Sequence, residues 1–169
     1  MGKAKPVVIV MGSDSDLPKL QGALDTLDSF GVGYDLRVLS AHRTPRDVHD
    51  FATGLPDKGV RVVIAAAGGA AHLAGVIASL TTVPVIGVPI ETKNFSGLDS
   101  LLSTVQMPAG VPVATVAIGS AGATNAALLA VQILALADAK LTVKLVGYRA
   151  EQVEKVRAKD KAVRNAKRR

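Results

Sequence analysis

The chain has no cysteine and no tryptophan, and its 169 residues include only three phenylalanines and two tyrosines. Without cysteine there is no disulfide framework, no thiol nucleophile and no thiolate-held zinc site. That fits a reducing compartment, and a cytoplasmic location is the expectation. Phe30, Phe51, Phe95, Tyr34 and Tyr148 are the whole aromatic set, so core volume has to come from Val, Leu, Ile and Ala. Long apolar runs are also missing. The opening run of residues 7–11 is too short for a signal-peptide core. The most apolar stretch, residues 121–137, is interrupted by Thr124, Asn125 and Gln132. It falls short of the ~20 apolar residues that a membrane span needs, so no membrane partner is expected.

Charge is present but uneven. The net charge is +6, and all of that excess lies beyond residue 148, where nine basic residues face three acids. The body before it is balanced. The boundaries expected on this basis are a single α/β domain over residues 1–148 and a basic helical tail over residues 149–169. A basic tail can attract polyanions. Charge runs of this length more often form solvated helix ends, and no specific nucleic-acid partner is expected.

The body alternates between two periodicities. Val7-Val8-Ile9-Val10 is a β-branched run of the kind that forms a strand buried on both faces. Leu17, Leu20, Leu24, Leu27 and Phe30 recur at helical spacing, and Gly31 ends that helix. Further strands are predicted over 34–39 (with alternating sides), 60–66, 83–88 and 113–118. Helices are predicted over 45–55, 70–80, 97–105, 121–137 and 141–166. Short joints between alternating strands and helices give right-handed βαβ units. The expected fold is a three-layer α/β/α sandwich on a flavodoxin-like, five-stranded parallel sheet of order 2-1-3-4-5. The helix over 121–137 is apolar nearly all round, which points to a subunit interface. In such folds ligands sit beyond the carboxyl ends of the strands, so the loops that follow them are where chemistry belongs.

Three of those loops carry polar groups suited to a ligand. After the first strand comes Gly12-Ser13-Asp14-Ser15-Asp16. Its serines and Asp16 can cap the next helix, or Asp16 can accept hydrogen bonds from ribose hydroxyls, and spacing alone leaves both open. After the second strand comes Ser40-Ala41-His42-Arg43-Thr44-Pro45. Arg43 is a fork of donors suited to phosphate, Ser40 and Thr44 add hydroxyls, and His42 can give or take a proton near neutral pH. After the third strand comes Gly68-Gly69-Ala70-Ala71-His72, where few side chains keep a ligand from the backbone N–H groups. A helix N-terminus opposes a cationic imidazolium, so His72 reads as a neutral, orienting hydrogen-bonder or as a structural histidine. His49, beside Asp47 and Asp50 in the second helix, reads as a surface residue. A fourth stretch, residues 97–110, reads as a polar-capped helix and turn whose Gln106 and Met107 are candidates for a pocket wall. The third strand ends in Ala65-Ala66-Ala67-Gly68, which excludes a phosphoacceptor receiver. The ligand loops lack the aromatics of a flavin carrier, apart from Phe95.

Taken in order, the three loops and Asp99-Ser100-Leu101-Leu102-Ser103-Thr104-Val105-Gln106-Met107-Pro108 resemble the 5-(carboxyamino)imidazole ribonucleotide mutase family, class I, also called the catalytic subunit of phosphoribosylaminoimidazole carboxylase. The resemblance runs from about residue 7 to 137. It implies a step of purine biosynthesis in which a carboxylate moves from the ring amine to carbon 4 of a ribonucleotide, without ATP, metal or organic cofactor. It implies His42 as general acid and base. Substrate binding would fall to Ser13, Asp16 and Arg43, with Ser40, the loop Gly68-Gly69-Ala70 and His72 close by. A homo-octamer with sites between subunits is also implied, as is transient carbon dioxide. Arginine rather than lysine after the histidine points to the class that takes the carbamate; the alternative is direct carboxylation of aminoimidazole ribonucleotide by carbon dioxide. Ala74 departs from the family proline. Alanine favours the helix, so the departure bears on loop rigidity beside His72.

Overall fold

The structure is a computed structural model and describes residues 5–166. Three of the basic tail residues, Lys167, Arg168 and Arg169, lie outside the described residues. By its own contacts the chain divides into two units, Met1–Ile133 and Leu134–Arg169.

The first unit holds a parallel sheet of five strands, β1 (Val7–Met11), β2 (Tyr34–Val38), β3 (Val62–Gly68), β4 (Val85–Ile90) and β5 (Ala114–Thr115), in the order β2-β1-β3-β4-β5. This is the expected flavodoxin-like order. Its helices are α1 (Leu17–Phe30), α2 (Pro45–Thr53), α3 (Leu73–Leu80), α4 (Leu98–Val105) and the larger part of α5 (Gly119–Ala135). The β-branched runs are buried on both sides of the pleat. Val8, Val10, Val63, Ala65 and Val85 join one core cluster with Val48, Phe51 and Ala52 of α2 and Leu73, Ala74 and Ile77 of α3. The alternate residues Val7, Ile9, Val62, Ile64 and Ile86 are equally inaccessible. Each of the Val, Ile, Leu and Phe side chains among them contributes about 1.5–3 kcal/mol when withdrawn from water. Gly22 lets α1 and α5 touch, since a Cβ there would lie 2.5 Å from Thr124 Oγ1.

Several boundaries differ from expectation for physical reasons. β2 does not alternate in burial: Asp35 to Val38 are all exposed, because β2 is a sheet edge flanked on one side only. Arg37 there lies over the Phe51 ring, 5.8 Å from its centroid. β4 starts two residues late and takes in Pro89. The lost N–H falls on the side of β5, which pairs only with Ile86 and Gly87, so no ladder bond is sacrificed. β5 is two residues long rather than six. α3 begins at Leu73 rather than Ala70, with Ala74 in its first turn. Gly69 is left-handed (φ 70°), and the N–H groups of Ala71 and His72 donate to Gly69 and Ala70 carbonyls two residues back, each at 2.8 Å. That geometry holds residues 70–72 out of the helix.

The second unit contains α6 (Ala139–Ala166). Asp138 caps it, accepting from Lys140 N at 2.9 Å. Its basic end is partly neutralised along the helix by Arg157–Glu154 (2.7 Å) and Arg164–Asp160 (3.7 Å). Among the described residues no helix is long and apolar enough to cross a membrane.

Candidate active site

β1, β2 and β3 are adjacent and parallel, so their following loops emerge side by side at one edge of the sheet. Backbone bonds lock the exits together: Leu39 N donates to Met11 O, and Gly12 N donates to Ala66 O, both at 3.0 Å. In the first loop Ser13 caps a single 3-10 turn, Asp14–Asp16, accepting from Ser15 N at 3.3 Å. Asp16 makes no capping bond to α1. Its carboxyl is half-buried, and desolvation is the main cause that raises its pKa above the ordinary 3.8, with hydrogen bonds from Ser13 and Ser15 opposing and Asp14 adding repulsion.

The second loop is a tight knot. Thr44 N donates to Ser40 O (2.9 Å), and the Thr44 hydroxyl reaches back to Ser40, accepting from its N–H at 3.1 Å and donating to its carbonyl at 3.2 Å. Thr44 therefore closes its own loop rather than capping α2. Ser40 Oγ accepts from Arg43 N (3.2 Å) and Arg43 Nε (3.4 Å), while Arg43 Nη2 donates to Gly12 O at 3.0 Å. Of the five N–H donors of a guanidinium, two are thus spent on aiming it and three remain for a ligand.

In the third loop His72 is exposed at the start of α3, and its Nδ1 lies 2.9 Å from His42 Nε2. The rings meet edge to face, 82° apart with centroids separated by 5.0 Å. One proton sits between the two nitrogens. Which ring donates depends on the tautomers: with His42 as donor its Nδ1 carries a lone pair, and with His72 as donor the His42 Nδ1 carries a proton. Behind this loop stands α4. Ser100, wholly buried, accepts from Gly69 N at 2.8 Å and donates to Ile90 O at 2.6 Å.

The loops enclose a cavity of about 440 Å³ lined by Gly12, Ser13, Asp16, Ser40, Ala41, His42, Arg43, Ala67, Gly68, Ala70 and Leu73. Seven of the nine expected site residues are in that wall. Gly69 and His72 are not, and His72 reaches the cavity only through His42. Gln106 and Met107 are not in it either. Met107 packs on Gly75, where a Cβ would come within 2.9 Å of its sulfur. Gly12, Ala41, Ala67 and Leu73 were not among the expected site residues, because positions without polar side-chain atoms carry no chemical signal of their own. His49 is exposed, with Nδ1 3.2 Å from Asp50. No group of three or more metal-ligating side chains occurs among the described residues.

The family model described as AIR carboxylase matches residues 6–155. The chain belongs to the AIR carboxylase family. Curated relatives named N5-carboxyaminoimidazole ribonucleotide mutase include that of Vibrio parahaemolyticus, 51% identical over 90% of this chain and 94% of its own. Those of Pyrococcus horikoshii (53%, covering 95% and 90%) and Mycobacterium leprae (52%, covering 95% and 92%) carry the same name. The crystal structure of Treponema denticola PurE superposes with a TM-score of 0.82 over 91% of this chain and 95% of that one, at 28% identity. The AIR carboxylase match takes in every residue of the cavity wall and the first part of α6, and residues 156–169 lie beyond it.

Proposed function

We propose that this chain is an N5-carboxyaminoimidazole ribonucleotide mutase of purine biosynthesis. The observation that carries the reading is the His42–His72 pair at a cavity that also holds the anchored Arg43 guanidinium, in a chain 51–53% identical to proteins of that name. The three remaining Arg43 donors receive the phosphate. Asp16 accepts from the ribose hydroxyls, and a carboxylate already stripped of part of its water regains hydrogen bonds there. Gly68 and Ala70 leave room for the ring and for carbon dioxide.

The reaction needs one proton moved twice. The carbamate N–C bond breaks and releases carbon dioxide, and His42 gives a proton to the exocyclic amine nitrogen that keeps the electron pair. Carbon 4 then attacks carbon dioxide, a C–C bond forms, and His42 takes the proton from carbon 4 to restore the aromatic ring. Atoms and charge balance without ATP, metal or cofactor. Binding energy at the phosphate and ribose holds the ring against carbon dioxide before it escapes.

His42 and His72 are exposed in the single chain, and escape of carbon dioxide must be blocked. A homo-octamer with sites between subunits supplies that closure. Phe95 and the α4 stripe of Leu98, Leu102 and Val105, 46–63% exposed, offer surface for association. Residues 1–148 form the mutase body in this reading and residues 149–169 a basic tail, in a cytoplasmic enzyme. The test is an ultraviolet assay of purified protein with the carboxyamino substrate and no ATP, metal or bicarbonate. Formation of 4-carboxy-5-aminoimidazole ribonucleotide is the expected result. Product only from aminoimidazole ribonucleotide plus bicarbonate would replace the mutase reading with direct carboxylation. Light scattering that gives a mass other than eight chains would overturn the octamer.

A further inference from the structure

We infer that Ser100 is a positioning residue for the histidine pair: its buried hydroxyl clamps Gly69 N–H to the Ile90 carbonyl, and so fixes the turn that holds His72 against His42. The inference rests on the mutase reading for its kinetic part. Three α4 hydroxyls face the glycine loop. Each has one proton. Ser103 Oγ lies 2.7 Å from Asp99 O, in its own helix, and 3.3 Å from Gly69 O. Thr104 Oγ1 lies 2.7 Å from Ser100 O, again in its own helix, and 3.4 Å from Ala71 O. Both commit their proton to the helix and only lean on the loop. Ser100 alone is matched on both sides, donating to Ile90 O at 2.6 Å and accepting from Gly69 N at 2.8 Å. It ties the loop after β3 to the end of β4 at a point with no solvent access, so water cannot replace it.

The tie falls where it has leverage. Gly69 is left-handed with nothing within 4 Å of a Cβ built there, so its own packing does not hold it. The next two residues turn by bonds to Gly69 O and Ala70 O, and His72 follows directly. Releasing Gly69 N frees the whole turn, and the 2.9 Å contact to His42 is the first thing lost. No catalytic contact by Ser100 is involved, since it does not line the cavity.

The experiment is a double-mutant cycle of Ser100→Ala and His72→Ala, read by kcat, KM and the ring-nitrogen NMR signals of histidine-labelled protein. Ser100→Ala is expected to lower kcat about tenfold while KM stays within about threefold, as a misplaced group outside the binding contacts should. It should also move the His42 ring signals toward those of the His72→Ala protein. On the His72→Ala background, removing Ser100 should cost nothing further within about twofold. Multiplying effects with unmoved His42 signals would overturn the inference and leave Ser100 a purely structural residue. If Ser100→Ala does not fold, Ser100→Cys carries the test: the thiol keeps the bulk but is a weak donor and acceptor, so a several-fold loss of kcat is expected, absent when His72 is already alanine. No change in rate or spectrum for that variant would overturn the inference. A protein that makes no product but whose His42 signals still respond to Ser100→Ala would refute the mutase reading and keep the clamp.

Discussion

The loop that carries His42 is held from within, whereas the loop that carries His72 is held from outside. Ser40, Arg43 and Thr44 bond to one another inside five consecutive residues, and one side chain, Arg43, reaches out to Gly12. Residues 69–72 have short bonds along their own backbone, but the bond that anchors Gly69 comes from Ser100, 31 residues away. A local knot keeps its shape whatever surrounds it. A clamped turn depends on the packing of another helix, so it responds to changes made far from the chemistry.

The largest effect expected is at the histidine of the knot. His42→Asn should lower kcat by at least about 10²- to 10⁴-fold, the range for loss of general acid–base catalysis. The ring is exposed and its contact is to His72, so the melting temperature should hardly move. A near-normal rate would end the assignment of His42. Next comes Arg43→Ala. Loss of a hydrogen-bonding charge costs about 1.5–3 kcal/mol, or about 10- to 150-fold, and should appear in KM. Arg43→Lys should recover little of it, because an ammonium cannot span Gly12 O and Ser40 Oγ while facing the cavity.

Asp16→Asn should do less to turnover and more to the pH dependence of stability. Burial raises the Asp16 pKa above 3.8 in the folded chain, so the native state binds the proton more tightly than the unfolded one. The stability linked to this group is therefore full below 3.8 and lost as pH rises through the raised value. At neutral pH the partly desolvated carboxylate costs the folded state stability. Urea unfolding of Asp16→Asn at neutral pH should show equal or greater stability than the parent, while KM rises about tenfold. A clear loss of stability would mean that Asp16 is a structural cap after all.

This contrast also explains what could be read in the chain. The knot is local, so Ser40, His42 and Arg43 were legible as a constellation, as was the sheet order from the alternation of β-branched runs and helices. Gly68-Gly69 signalled an open loop, but nothing near it named Ser100 as its anchor. A serine in a helix reads as a polar face until the helix is docked. The only hint was the repeat of hydroxyls at 100, 103 and 104 among leucines. The late start of α3 was hidden for the same reason: alanine at 70 and 71 favours helix, and the left-handed Gly69 with its clamp overrides that preference. Edge effects were equally tertiary. The exposure of β2 and the two-residue length of β5 follow from their places at the two ends of the sheet.

The smallest effect gives the sharpest comparison. Gly59 and Gly69 share a φ of 70°, and a Cβ at either meets nothing within 4 Å. Alanine at either site therefore pays the same left-handed penalty, about 1–2 kcal/mol, with no steric clash to confuse the result. Thermal unfolding should show similar losses for Gly59→Ala and Gly69→Ala. Their turnover should differ. Gly59 ends the turn Pro56–Lys58 before β3, at the opposite end of that strand from the cavity, so kcat should be unchanged. At Gly69 the strain can relax only by shifting a turn whose far end is His72, so kcat should fall several-fold, roughly 1 kcal/mol in the barrier. Equal kcat in the two variants would mean that the turn tolerates displacement and that the clamped loop has no more control over His42 than any other left-handed turn in the chain.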